Sequence, residues 1–193
     1  WEMVRKGMND MTHMSMSMLD FARTRRLKLA PTDLTELAKR IHTVSQSKFE
    51  EAGVELMLDL APDLPPVVCD EEGVRSVVMD LISNSLDACS WKEYGDEEQP
   101  LVILRVVPGR MEGHIELQVV DNGEGMTEEV RKRVFTPFFS TKEKLGTGMG
   151  LAVVGRIVAS HEGETFVESE PGAGATFRVS LPIQGPSLRE EEG

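Results

Sequence analysis

Two β-rich runs, Leu101–Val107 and His114–Val120, stand only six residues apart across Pro108–Gly113. No other feature constrains the fold as strongly, because a gap of that length and composition predicts an antiparallel hairpin. Around it the chain alternates between the two periodicities. Residues 33–52 read as a helix capped by Thr32 or Asp33, with Leu34, Leu37, Ala38, Ile41, Val44, Ser45 and Phe49 on its apolar face and Gly53 closing it. Val54–Leu60 alternates like a strand, Ala61–Pro66 is a proline-rich turn, and Glu71–Ser90 is helical. A polar, acidic loop, Lys92–Gln99, leads into the hairpin. Beyond it lie a short helix at Glu128–Val134 and a helix at Met149–His161 ended by Gly163. Two more strands follow, Glu164–Ser169 and Ala175–Leu181, joined by Pro171–Gly174. This order predicts an α+β fold, a mixed sheet with helices on one face.

The first segment stands apart. Trp1, Val4, Met8, Met11, Ser15, Met18 and Ala22 follow a 3-4 spacing, the seam of a coiled coil or bundle. Its dense methionines read as a core stripe and not a thioether metal site. A lone helix of this kind cannot bury its own stripe and should pair with another helix or another copy. The expected organisation is therefore one incomplete hairpin helix over 1–30, a sandwich domain over 31–186 and a disordered acidic tail over 187–193. The opening at Trp1 suggests an excised piece of a longer protein.

Composition narrows the function. The chain has 193 residues and a net charge of −12, and that negative field argues against general nucleic-acid binding. No run of 18 apolar residues is present, so this stretch is expected to make no membrane contact. Two cysteines, Cys69 and Cys89, make no disulfide framework and fit a reducing cytoplasm. The four histidines show no zinc-like spacing.

Four short stretches carry chemistry. On helix Glu71–Ser90, Val74, Val77, Leu81 and Ala88 share one side, while Asp80, Asn84 and Asp87 form a narrow polar stripe. Asn84 offers a neutral oxygen to a hard cation, and magnesium takes few protein ligands beside phosphates and water. Asp121-Asn122-Gly123-Glu124-Gly125-Met126 follows a strand. Asp121 could accept from an exocyclic amine, and Gly123 and Gly125 would let backbone approach a flat ring. In Phe135–Lys142, aromatics including Phe138 precede the hydroxyls of Ser140 and Thr141 and the cation Lys142, a counter-charge for phosphate. Gly146-Thr147-Gly148-Met149-Gly150-Leu151 opens a helix, and glycine-cleared amides at a helix start form an anion site.

In this order the four stretches resemble the N box (Asp80–Ala88), first glycine box (Asp121–Met126), F box (Phe135–Lys142) and second glycine box (Gly146–Leu151) of the GHKL superfamily. The resemblance is strongest to the catalytic domain of bacterial sensor histidine kinases and covers about residues 32–183. Met18–Arg23 is similar to the end of the second helix of the dimerisation and histidine-phosphotransfer hairpin. The resemblance implies a two-layer Bergerat-type sandwich, ATP and Mg²⁺ as ligands, and transfer of the γ-phosphoryl group to a histidine. It makes Asn84 the magnesium ligand and Asp121 the acceptor for the adenine amine. Gly125 and Met126 line the base pocket, Lys142 and the amides of Gly148–Leu151 meet phosphates, and Thr176 touches the adenine end. Met126–Gly148 would be a lid.

None of His13, His42, His114 or His161 sits in an acceptor box. The accepting histidine is expected upstream of Trp1, on a hairpin of the same or a partner subunit. The resemblance also implies a response regulator as partner and a homodimeric full-length protein, with a parent that could be membrane-anchored. Asp80 stands where histidine kinases commonly carry Asn and hydrolytic relatives carry Glu. Asp80 and Asp87 therefore keep open an ATP hydrolase or conformational clamp, and the methionine-rich seam helix keeps open a non-catalytic nucleotide-binding dimerisation module.

Overall fold

The computed structural model describes residues 27–141 and 148–187. Residues 1–26 of the expected hairpin helix, residues 188–193 of the acidic tail, Lys142, Gly146 and Thr147 lie outside the described residues, and the end of that expected helix is corrected, because Leu29 and Ala30 belong to a strand. Strand β1 (Leu29–Thr32) leads into helix α1 (Leu34–Glu51), then β2 (Glu55–Leu60), β3 (Val67–Asp70) and helix α2 (Glu71–Trp91). Strands β4 (Leu101–Pro108) and β5 (His114–Asp121) follow, then helices α3 (Glu128–Arg133) and α4 (Gly150–Ser160), and strands β6 (Glu164–Glu170) and β7 (Gly174–Pro182).

Five strands form one mixed sheet in the order β2-β4-β5-β7-β6. Only β2 and β4 run parallel, and the chain between them passes through β3 and α2, as a parallel pair requires. The expected hairpin is β4–β5, with Val106 opposite Leu117 and Val102 opposite Asp121. Period-2 alternation sorts the sheet into two faces. Val102, Leu104 and Val106, Ile115, Leu117 and Val119, and Phe177, Val179 and Leu181 are buried on the face covered by α1, α2 and α4. Full burial of one such side chain stabilises the fold by about 2 kcal/mol. The opposite face is polar, and its pairs include Arg105–Asp59 at 2.9 Å and Arg178–Glu168 at 2.6 Å.

Helix α1 starts where the sequence placed it. The Asp33 carboxylate accepts from the amides of Thr35 (2.9 Å) and Glu36 (3.1 Å), which satisfies two of the helix's unpaired donors. Val44, expected on its apolar face, is exposed instead, because the buried stripe runs through Leu34, Leu37, Ala38, Ile41, Ser45 and Phe49. A second, two-stranded sheet was not expected at all. β1 and β3 pair antiparallel, with Pro31 opposite Val68. Proline is tolerated there because a two-stranded sheet is all edge. β3 runs directly into α2, so this small sheet fixes where the long helix begins.

Candidate functional site

The site forms where the end of β5 meets the middle of α2. Asp121 is the last residue of β5, 5% exposed, and its side chain points to the helix-covered face. Its Oδ1 accepts from the amides of Gly123 (3.0 Å) and Ala175 (3.1 Å), and its Oδ2 accepts from Ser85 Oγ (2.9 Å). Oδ1 thus has both its acceptor positions filled, whereas Oδ2 has one to spare. Burial pushes the carboxyl above the ordinary aspartate range, and the three hydrogen bonds partly offset that shift.

The glycines around Asp121 have packing reasons. A Cβ on Gly123 would come within 2.6 Å of the Ala88 carbonyl carbon on α2, and the Glu124 amide donates to the Ala88 oxygen at 3.1 Å. Gly125 adopts a φ of +68° and passes directly against the Glu170 carbonyl. Close approach of this chain to itself therefore requires glycine at both positions. The Met126 amide donates to Ser169 Oγ at 2.9 Å, and that hydroxyl donates to the Gly174 carbonyl at 2.7 Å. The half-buried Met126 side chain packs against the core.

Thr176 needs a correction. In the β5–β7 register Ala175 faces Asp121, and Thr176 faces Val120. Neighbouring strand residues point to opposite faces, so the Thr176 side chain lies on the sheet face away from Asp121. The residue beside Asp121 on the inner face is Ala175, which has no hydroxyl.

On α2, Asp80, Asn84 and Asp87 are all partly exposed, on the side of the helix flanking Ser85 and Ala88. Burial alone pushes Asp80 up to about 6. Among the described residues no three His, Cys, Asp or Glu side chains come together as a metal cage. A cation here would depend on one or two protein ligands plus its own phosphates and water, which suits magnesium and the amide of Asn84.

The F box divides its labour. Phe135 packs edge-on against Phe177, with ring centroids 6.3 Å apart. The Arg133 guanidinium lies 4.3 Å from the centre of the Phe139 ring. Phe138 is 59% exposed with φ +64°, and its amide donates to the Gly148 carbonyl at 2.9 Å. Gly148, at φ +65°, must be glycine because a Cβ would meet the Phe138 carbonyl carbon at 2.6 Å. Thr141 is exposed. Met149 is buried, and α4 begins at Gly150 without a side-chain cap, unlike α1 and α3. The first amides of α4, those of Gly150 and Leu151 included, thus have no capping side chain, as an anion-binding helix start requires.

Sequence reasoning missed Ser85 and Asn122. Ser85 is a fully buried hydroxyl inside an apolar helix face, and that placement was the available signal. Asn122 acts as a backbone substitute. Its Oδ1 accepts from the Leu101 amide and its Nδ2 donates to the Gln99 carbonyl, both at 2.8 Å. Lys92 Nζ donates to the Asn122 carbonyl at 3.0 Å, so this residue ties down both ends of the acidic loop.

Residues 69–185 match the family described as histidine kinase-, DNA gyrase B- and HSP90-like ATPases. The chain belongs to this ATPase family. Its relatives include the sensor histidine kinase ZraS of Klebsiella oxytoca, 35% identical over 177 residues, which is 91% of this chain and 36% of that kinase. The crystal structure of full-length ShkA in complex with AMPPNP superposes with a TM-score of 0.81 at 25% identity, covering 97% of this chain and 39% of that one. The histidine kinase ThkA, solved in complex with the response regulator protein TrrA, shares the fold with a TM-score of 0.76 at 18% identity, over 94% of this chain and 50% of that one. The chain spans less than two fifths of the length of curated relatives such as ZraS. The fold is that of a histidine kinase ATP-binding catalytic domain, and no described helix is long and apolar enough to cross a membrane.

Proposed function

We propose that this domain binds Mg·ATP and delivers the γ-phosphoryl group to a histidine on a separate helical hairpin, as part of a sensor histidine kinase. The observation that carries the reading is the Asp121 carboxylate. Three internal donors hold it rigid, and Oδ2 keeps one acceptor position. An exocyclic amine fills that position and a guanine carbonyl is repelled by it, so the pocket selects adenine. Ser85 fixes the carboxylate's rotation, and the Gly123–Ala88 contact fixes the distance of the turn from α2.

Asn84 would hold magnesium, which when bound neutralises charge on the triphosphate oxygens. Lys142 and the amides of Gly148, Gly150 and Leu151 would hold the phosphates. Positioning and electrostatics are most of what phosphoryl transfer needs from a protein. The acceptor imidazole attacks the γ-phosphorus with its nitrogen lone pair. The bond to the β,γ-bridging oxygen breaks, ADP leaves with that electron pair, and the imidazole gives up a proton. Support for adenine comes from the AMPPNP in ShkA, and support for a response-regulator partner from the complex of ThkA with TrrA. A homodimeric parent and a cytoplasmic site of action complete the proposal. The two free, buried cysteines fit a reducing compartment.

The test is calorimetry with ATP and GTP at millimolar Mg²⁺, followed by incubation with γ-labelled ATP and a protein carrying the histidine hairpin. Selective heat with ATP and label on the hairpin are expected. Equal heat with GTP refutes the pocket, and no label on any hairpin refutes the transfer.

One observation favours a second reading. Asp80, raised to about 6, lies in the range of a general base at neutral pH. As a hydrolase, the isolated domain would turn over ATP steadily and lose that turnover on Asp80→Asn.

A further inference from the structure

His161 is a deeply buried ionisable group outside the nucleotide site, 1% exposed, at the C-terminal end of α4. Both ring nitrogens are engaged. Nε2 accepts from the Asp70 amide at 3.0 Å. Nδ1 lies 2.7 Å from the Ile157 carbonyl, which can only accept, so Nδ1 carries the hydrogen. The contacts leave one neutral tautomer. Asp70 is the residue from which α2 departs, and its own side chain caps nothing. Its amide is a buried donor with His161 as its partner.

The packing around this bond is equally specific. At Gly73, in the first turn of α2, an added Cβ would lie 3.3 Å from Ile157 Cγ2 and 3.6 Å from His161 Cε1. The imidazole and Ile157 therefore rest on α2, and even an alanine at position 73 would require Ile157 to yield by a few tenths of an ångström. α2 carries Asp80, Asn84 and Asp87, and α4 carries the amides at Gly150 and Leu151. The two helices pack on each other, and the His161–Asp70 bond pins the far end of α4 to the start of α2.

We infer that His161 is a positioning residue for Mg·ATP. It sets the registry between the helix that holds the metal ligand and the helix whose start holds the phosphates. The inference rests on the proposed nucleotide site and deepens it, because only a ligand spanning both helices reads their spacing. Adenosine meets Asp121 and the neighbouring turn alone.

The experiment compares His161→Phe with His161→Gln in the whole chain. Phe keeps an aromatic ring of similar size but leaves the Asp70 amide without an acceptor. Gln can place Oε1 near the Nε2 position and accept from that amide. Dissociation constants are measured calorimetrically for Mg·AMPPNP and for adenosine without metal, at a temperature where circular dichroism shows both variants folded. His161→Phe is expected to weaken Mg·AMPPNP tenfold or more while adenosine binding changes less than twofold, with His161→Gln recovering most of the loss. Equal weakening of both ligands would mean that His161 only stabilises the fold, and unchanged Mg·AMPPNP affinity in His161→Phe also overturns the inference. If His161→Phe does not fold, Gly73→Ala, which presses on Ile157 from the α2 side, takes its place. The ratio of the Mg·AMPPNP to the adenosine dissociation constant must then rise in Gly73→Ala and stay near that of the unsubstituted chain in His161→Gln. If the unsubstituted chain binds no Mg·AMPPNP, the proposed site itself has failed.

Discussion

Replacing Asp121 with asparagine separates what the carboxylate does for the fold from what it does for the ligand. In the folded chain Oδ1 accepts two backbone amides and Oδ2 accepts one hydroxyl. The amide oxygen of an asparagine can take the place of Oδ1 and keep both backbone bonds. Its NH₂ then faces Ser85, whose hydroxyl turns to accept instead of donate. The fold should lose less than about 1 kcal/mol, since the change also removes a buried charge. The ligand fares worse. Oδ2's spare acceptor position becomes a donor that opposes the adenine amine. The lost charge-assisted bond is worth about 1.5–3 kcal/mol, and the opposed donors add to it. A total of about 3 kcal/mol corresponds to more than 100-fold in affinity. Titration calorimetry with Mg·ATP, beside a urea unfolding curve, measures both quantities. A loss of affinity below fivefold in a folded variant would show that Oδ2 does not read the base. Unfolding of the variant would show that the carboxylate's charge is needed for the fold itself.

Asp80 gives a pH signature. Its folded pKa, about 6, exceeds the unfolded value of 3.8, so its contribution to stability is present below pH 4 and lost as pH rises through 6. Asp80→Asn should therefore stabilise the chain by up to about 3 kcal/mol at pH 8 and by almost nothing at pH 4; equal effects in urea titrations at both values contradict the burial argument. Thr176→Val should leave Mg·ATP affinity within twofold, because the side chain lies on the other face of the sheet from Asp121, and a tenfold loss would reverse that assignment. Asn122→Ala should free the acidic loop, cost about 1 kcal/mol for the part-buried Leu101 amide it strands, and speed amide exchange at Leu101; unchanged exchange there rules out the clamp.

Local periodicity explains what was legible beforehand. The long helices and the β4–β5 hairpin declare themselves in repeats of 3.6 and 2, and their observed ends fall within a residue or so of expectation. β1 and β3 did not, because four residues are too few for a period and Pro31 argues against a strand. The parallel pairing of β2 with β4 also has no local signal, since it joins segments separated by a helix and a further strand. The Asp121 carboxylate, the Asn84 amide and the neighbouring glycines could be singled out as candidates because their residue types are chemically specific. The misplacement of Thr176 shows the limit. One residue of register moves a side chain across the sheet, and only the pairing of Ala175 with Asp121 fixes which neighbour faces inward. Ser85 and Asn122 went unnoticed because serine and asparagine are ordinary in helices and turns until their partners are known.

The hydrogen bond from the Phe138 amide to the Gly148 carbonyl closes a ring of chain. Whatever lies between these residues enters and leaves through one fixed neck, and Gly148 leads straight into Met149 and α4. The start of α4 is therefore tied to the F box by a backbone bond at Phe138 and not by a capping side chain.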